Sequence, residues 1–391
     1  MKCRISKEKC FNAIDFGKMP ISNAFLKNKM QYEFFFPLKA IFGKKFSLFQ
    51  LMTNPKPSKM FNKNYPFYSS SSKNMILHFK NFADWLKKKY LPSKNYSILE
   101  IGSNDGTFLS NFEKNNARGF EPSKSVHLVA KKKKIRSINK FFNLDNIKNL
   151  KNKFDVIVGS NVFCHIPDQN NLILSIKKLL SENGTLIFEE PYLGAMYKKI
   201  SYDQIYDEHI FMFSASSVSK IYHKYNLDLV DAIPQVTHGG SMRYVLKRRG
   251  SSKQSQRLKR ILSSEKKNKI DSIIGFQEFK KKVEQSKEKL IEKINKIILK
   301  GNKICGYGAT SKSTTILNYC KLNNKMIDCI YDTTPDKIGK LSPGMHIPIV
   351  DYKYFKNSNY KYVFLFAWNH KKEIMKKESK NNKIKWFTHL N

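Results

Sequence analysis

Apolar residues along the chain follow two rhythms: short unbroken apolar runs alternate with segments whose apolar positions fall three and four residues apart. The stretch 97–109 reads SILEIGSNDGTFL, in which Ile98, Leu99 and Ile101 run into Gly102-Ser103-Asn104-Asp105-Gly106 before an amphipathic segment opens. A buried parallel strand, a glycine turn and a helix start produce that pattern. Upstream, Met75, Leu77, Phe79, Phe82, Trp85 and Leu86 predict a helix over 73–90. Downstream the pattern predicts a helix over 125–133, a short strand near Ile135, a buried strand over 154–161 and a helix over 169–180. The turn Glu182-Asn183-Gly184 then introduces a strand over 185–188 that ends in Glu189-Glu190-Pro191. A helix near 215–225 and strands over 227–233 and 244–247 follow. Strands alternating with helices argue for a parallel, doubly wound sheet.

Beyond residue 250 the rhythm changes. Residues 250–300 are rich in Lys and Glu, with apolar positions at 276, 279, 283, 290, 294 and 297, which predicts one long amphipathic helix linking two domains. Lys303-Ile-Cys-Gly306-Tyr307-Gly308-Ala-Thr-Ser-Lys312 repeats the strand, glycine turn and helix start, an arrangement whose backbone amides suit an anion. Strands over 326–331, ending at Asp332, and over 362–366 complete a second Rossmann-like unit. Residues 1–72 are aromatic-rich and broken by Gly17, Pro20, Pro37 and the cluster at 54–57, and read as an irregular module. The hydroxyl-dense Tyr65-Pro-Phe-Tyr-Ser-Ser-Ser-Ser at its end is open to two readings, a linker or a lid.

Bulk numbers narrow the picture. A length of 391 residues with 41% hydrophobic content allows two or three domains around sizeable cores. The net charge of +41 points toward polyanions, but Lys is spread along nearly the whole chain without regularly interleaved aromatics, so nucleic acid is not the expected partner. Six scattered cysteines fit a reducing interior, and no apolar run reaches the ~18 residues that span a bilayer. With no hydrophobic leader after Met1, a cytoplasmic location without membrane association is expected. Cys3 and Cys10 alone make half a metal site, and no further Cys or His follows before His78.

The glycine loop holds two glycines spaced G-x-x-x-G and so lacks the dinucleotide fingerprint. Glu100 just before the first glycine, and Glu121 ending the next strand, instead give the layout of class I methyltransferases. Taken together, Glu100-Ile-Gly-Ser-Asn-Asp-Gly, Gly119-Phe-Glu-Pro-Ser, Cys164-His-Ile-Pro, Asp203-Gln-Ile-Tyr-Asp-Glu-His, His238-Gly-Gly, Gly306-Tyr-Gly-Ala-Thr and Phe366-Ala-Trp-Asn-His resemble the nucleotide-sugar C-methyltransferases. These act on 4-keto-deoxysugars, and the likeness covers essentially the whole chain in one order. It implies an α/β fold: a class I methyltransferase Rossmann-like core at 73–250, a C-terminal Rossmann-like nucleotide-sugar domain at 251–391, and a small irregular zinc-binding-like module at 1–72. The chain departs from the family in that module. The family's C-R-x-C appears as Cys3-Arg4-Ile5-Ser6 and its second cysteine pair falls on Gly43 and Phe46, so a module without metal is expected, packed by Phe34–Phe36, Phe42, Phe46 and Phe49.

The resemblance implies S-adenosyl-L-methionine as cofactor, held by Tyr65, Glu100, Gly102, Asn104, Gly106, Glu121 and Asn161. It implies His209 as the base that removes a proton beside the ketone, with Glu208 orienting its ring, Tyr206 bonding the enolate oxygen and His165 facing the sugar. The nucleotide-diphosphate sugar falls to Gly306, Tyr307, Gly308, Lys312, Asp332 and Arg243. A monomer is expected. The competing readings are a non-catalytic nucleotide-sugar or cofactor-binding module and an O- or N-methyltransferase, which needs no carbon-acid base.

Overall fold

The computed structural model describes residues 1–10, 13–60, 68–379 and 383–390. A seven-stranded sheet stands at its centre, in the order Leu227–Gln235, Ser241–Arg248, Leu180–Pro191, Phe154–Ser160, Ile98–Ile101, Ala117–Phe120, Ser137–Ile138. Ser241–Arg248 runs antiparallel to both neighbours, because a connection this short after Leu227–Gln235 permits a hairpin and no crossover. The remaining pairs are parallel. Chain order reverses at Ile98–Ile101, and open α/β sheets place ligands at the carboxyl ends of the strands flanking such a point.

The helix Lys73–Tyr90 forms where the spacing places it, with Ser72 capping the Met75 amide. Phe79, Phe82 and Leu86 bury its inner face, and Phe108 meets Phe79 and Phe82 at ring-centre distances of 5.9 and 5.1 Å. Leu77 lies outside that stripe and is exposed. The turn read at 182–184 sits inside the strand Leu180–Pro191. Phe154 pairs with Leu180 and Val156 with Thr185, so the residues between them bulge from the ladder.

The N-terminal module is not irregular. Ala13–Pro20, Phe35–Gly43 and Leu48–Leu51 form an antiparallel sheet whose fourth strand is Phe211–Met212. The alternation in Ala13–Pro20 is masked in the sequence by Gly17, which stands at φ 82° where the register shifts. Its Cys3, Cys10 and Phe46 pack in one apolar cluster with the methyltransferase core. Phe42 and Phe49 lean on Phe276, at 5.9 and 5.2 Å between ring centres.

Residues 250–300 form two helices rather than one, Gln256–Lys267 and Ile273–Leu299. Ser272 caps the second through the Gly275 amide, and a Cβ at Gly275 would lie 2.0 Å from the Lys269 carbonyl, so glycine is required there. The six apolar positions read from the sequence are all buried, shared between the N-terminal sheet and the C-terminal unit. That unit is a five-stranded parallel sheet ordered Ile349–Asp351, Ile330–Asp332, Ile304–Tyr307, Tyr362–Leu365, Lys385–Phe387. Its outer strands, three residues each, were too short to announce themselves by period. Among the described residues, no helix is long and apolar enough to cross a membrane.

Candidate active site

The loop after Ile98–Ile101 turns through left-handed backbone at Gly102 (φ 71°), Asn104 (φ 48°) and Gly106 (φ 77°). The glycines are needed for packing as well as for φ: a Cβ on Gly102 would come within 2.7 Å of Val162, and one on Gly106 within 2.8 Å of Ile135. Glu121 accepts the Asn104 amide on Oε2 (3.0 Å) and the Ser123 amide on Oε1 (2.7 Å), leaving lone pairs on both oxygens for a further donor. Burial raises its carboxyl above the usual range, although those amides pull it back. Glu100 is pushed well up by burial, then by Asp105 and Glu121, and its Oε2 has no partner among the described residues. The Ser69 and Ser70 amides bond the side chains of Asn104 and Asp105, which pins that serine segment over the loop. Tyr65 lies outside the described residues.

One cavity of about 560 Å³, within the range of small-molecule sites, runs from this loop to the C-terminal unit. Its wall includes Glu100, Gly102, Asn104, Glu121 and Asn161 on the cofactor side, then His165, Tyr206, Glu208 and His209, then Lys312. Asn161 stands at φ 52°, its amide nitrogen 2.7 Å from His238 Nε2, and its Oδ1 lacks a partner among the described residues. Buried unpartnered acceptors at Glu100 and Asn161, with Glu121 still open to donors, suit a ligand that brings an ammonium group and a ribose diol. S-Adenosylmethionine is such a ligand.

Midway along the cavity stand Tyr206 and His209. His209 Nδ1 lies 2.8 Å from the Gln204 carbonyl and therefore carries the hydrogen, which leaves Nε2 as acceptor for the Tyr206 hydroxyl at 2.8 Å. Burial, followed by His165 and Lys312, holds His209 well below the ordinary histidine range, so its ring rests neutral. His165 stacks on it at 5.4 Å and is itself pushed down to about 3 by burial. Glu208 does not orient the His209 ring as expected, since the Gln204 carbonyl does so; its Oε1 instead accepts from Asn23 at 2.8 Å. Nor can Tyr206 give its one hydrogen to an enolate oxygen while it donates to Nε2. The turn carrying His165 is held by Glu190, whose Oε1 accepts the amides of Val162, Phe163 and Cys164.

Of the six residues read as substrate-binding, Lys312 alone borders this cavity. It is 9% exposed, and its ammonium has no hydrogen bond or ion pair among the described residues. Burial lowers its pKa, while Asp203 acts the other way. Tyr307 turns into the C-terminal core and donates to Glu378. Asp332 ties the Ala309 amide to that of Thr334. Gly306 and Gly308 are required by close packing, since a Cβ on either would lie 2.6 Å from Phe366 or Ala367. Arg243 is buried beneath the helix Lys73–Tyr90, stacked over Phe82 at 3.7 Å and Trp85 at 4.6 Å and paired with Glu189 at 2.6 Å. It takes no part in the cavity wall, since the guanidinium is turned to Glu189 and the two rings.

Sequence reasoning passed over Asn23, Lys337, Asn369 and His370 as site residues, and they too line the cavity. Nothing local marks Asn23, whereas Asn369 and His370 stand in a stretch that the family likeness had already picked out, as does His238, which also lines the cavity. Cys164, His165 and His209 bring three donor atoms within 4.8 Å of one another. The Cys164 thiol is held protonated by burial and bonds Glu190, and both His209 nitrogens are engaged, so the trio reads as packing around His209.

The central sheet order is that of a Rossmann-like class I methyltransferase, and family models agree. Residues 73–232 match the methyltransferase domain, and residues 236–390 match the C-methyltransferase C-terminal domain. The chain is an S-adenosylmethionine-dependent C-methyltransferase. It is 26% identical to the C-methyltransferase NovU of Streptomyces niveus over 387 residues, covering 96% of this chain and 92% of that one. Among solved structures, a S-adenosylmethionine-dependent methyltransferase from Clostridium acetobutylicum is 15% identical, with 44% of this chain and 92% of the other covered at a TM-score of 0.35. The magnesium protoporphyrin IX methyltransferase of Synechocystis with bound S-adenosylmethionine is 12% identical, with coverages of 44% and 79% and a TM-score of 0.33.

Proposed function

We propose that this C-methyltransferase methylates the carbon beside the ketone of a nucleotide-linked 4-keto-deoxysugar. The observation that carries the reading is the single cavity in which the cofactor loop, the neutral His209 and the unpartnered Lys312 ammonium meet. A carbon acid needs a base, and an unpaired buried cation needs an anion. In this reading residues 1–72, 73–250 and 251–391 act as module, methyltransferase core and substrate domain. Glu100, Gly102, Asn104, Glu121 and Asn161 surround the cofactor, which supplies an activated methyl group when bound, and Gly106 closes the turn behind them. His209 Nε2 receives the α-proton, and the Gln204 carbonyl holds the ring in the tautomer that permits this. Tyr206 keeps Nε2 aligned until substrate arrives and stabilises the protonated ring afterwards by accepting from it. Lys312 holds negative charge on the substrate, and the buried wall around it excludes water. Mass spectrometry of assays with S-adenosylmethionine and a panel of nucleotide 4-keto-sugars tests the reading, and a mass gain of one methyl group with none of them overturns it.

Glu121→Ala is expected to weaken S-adenosylmethionine by about 1.5–3 kcal/mol, the worth of hydrogen bonds to a charged acceptor. Unchanged affinity by calorimetry would remove Glu121 from the site. Lys312→Met is expected to raise the substrate KM roughly tenfold or more and to leave cofactor affinity alone, since hydrogen bonds between charged partners contribute at least that much. A fall in kcat at constant KM would instead put the developing enolate oxygen, rather than a ground-state anion, beside this ammonium.

A further inference from the structure

The N-terminal module reaches the reacting end through two residues. The Ser22 amide donates to Asp207 Oδ1 (3.2 Å), and Thr314 Oγ1 donates to the Ser22 carbonyl (2.9 Å). Next to it, Asn23 Nδ2 donates to Glu208 Oε1 (2.8 Å), while Asn23 Oδ1 accepts from Ser311 Oγ (3.0 Å). Asn23, Glu208 and Ser311 all line the cavity. We propose that Asn23 is a positioning residue of the active site, whose amide aims the Glu208 carboxyl at the substrate and ties it to the start of the helix Ser311–Tyr319. The proposal rests on the reading of residues 206–209 as the reacting stretch.

A carboxyl on a short flexible stem can turn either oxygen to a ligand, and the bridge removes that freedom. The Asn23 amide is held at both ends, its Oδ1 by the Ser311 hydroxyl and its NH₂ by Glu208. With Oε1 committed as acceptor, Oε2 is the oxygen left to a ligand. Burial, reinforced by Asp207, raises the Glu208 carboxyl so that it keeps its proton near neutrality. That proton then resides on Oε2, and Glu208 presents an O–H donor to a substrate oxygen rather than a second negative charge beside the forming enolate. A carboxylate at this place would oppose the chemistry at His209, whereas a neutral carboxyl of fixed orientation assists it. The N-terminal module thus contributes to the active site itself and not only to the packing beneath it.

The test is a mutant cycle of Asn23→Leu, Glu208→Ala and the double variant, read as kcat, KM, S-adenosylmethionine affinity and Tm on the full chain. If Asn23 acts through Glu208, Asn23→Leu lowers kcat by up to about 100-fold with cofactor affinity unchanged. The double variant is then no slower than Glu208→Ala alone. A residue of purely structural value would give losses that multiply in kcat, and that outcome, or wild-type kcat in Asn23→Leu, overturns the proposal. Should Asn23→Leu fail to fold, the same cycle with Ser311→Ala decides in the same way. Should the wild type methylate none of the sugar panel, the substrate reading fails, and the proposal is judged by the thermal cycle. There, additive Tm losses overturn it and non-additive losses sustain it.

Discussion

Replacing His209 with asparagine is expected to lower turnover by about 10²–10⁴-fold, the usual contribution of a general base, while substrate and cofactor still bind. The loss follows from the tautomer. With the Gln204 carbonyl occupying Nδ1, Nε2 is the atom able to receive a proton, and asparagine has no basic nitrogen to put there. Tyr206→Phe is expected to cost less, because it removes the partner of the base and not the base. Deuterium wash-in at the substrate α-carbon, followed by NMR without S-adenosylmethionine, isolates the proton step. Exchange that survives in His209→Asn at the wild-type rate would pass the role to Tyr206 or His165. Thermal melting of the variant belongs beside the assay, since its side chain also bonds Tyr206 and Gln204.

Arg243→Met is expected to act on stability and not on KM, with a loss of about 3–5 kcal/mol at neutral pH in denaturant titration. Burial by itself would raise Glu189, but the His78 hydrogen bond and Arg243 outweigh it and the carboxyl is held below its usual range. In the wild type this stabilisation is therefore present above the ordinary carboxyl pKa of 4.5 and fades as pH falls through the lower folded value. Without the guanidinium, Glu189 faces the apolar underside of Phe82 and Trp85 with His78 alone, and its pKa moves above the unfolded value. The folded variant then binds the extra proton, so its deficit shrinks as pH is lowered. A deficit that is constant with pH, or a raised KM in a variant of unaltered stability, would return Arg243 to the substrate.

What the chain announced by itself was whatever depends on neighbours in sequence. The helix Lys73–Tyr90, the strand before Gly102, the acid at Glu121 and the strand Phe154–Ser160 are local patterns of apolar spacing, capping and turn residues, and each stands close to its expected bounds. The order of motifs was equally legible, and the glycine loop and the stretch ending in His209 both border the one cavity. The module before residue 60 was missed because its glycine and prolines interrupt the alternation and its fourth strand, Phe211–Met212, comes from far along the chain, just after His209. The break between Gln256–Lys267 and Ile273–Leu299 was missed because continuous helical spacing outweighed one Ser and one Gly.

Site membership divided along the same line. Gly306, Gly308 and Arg243 carry residue types that bind phosphates in many proteins, and here close strand packing and a buried carboxylate claim them instead. Asn23 carries no such signal, yet it stands 185 positions from Glu208 in sequence and 2.8 Å from it in space. Spacing along the chain determines which helices and strands can form and which side chains each can offer. Which of those side chains share one dry cavity, and which are consumed in holding it together, is decided when distant segments pack and each buried polar group takes the nearest partner.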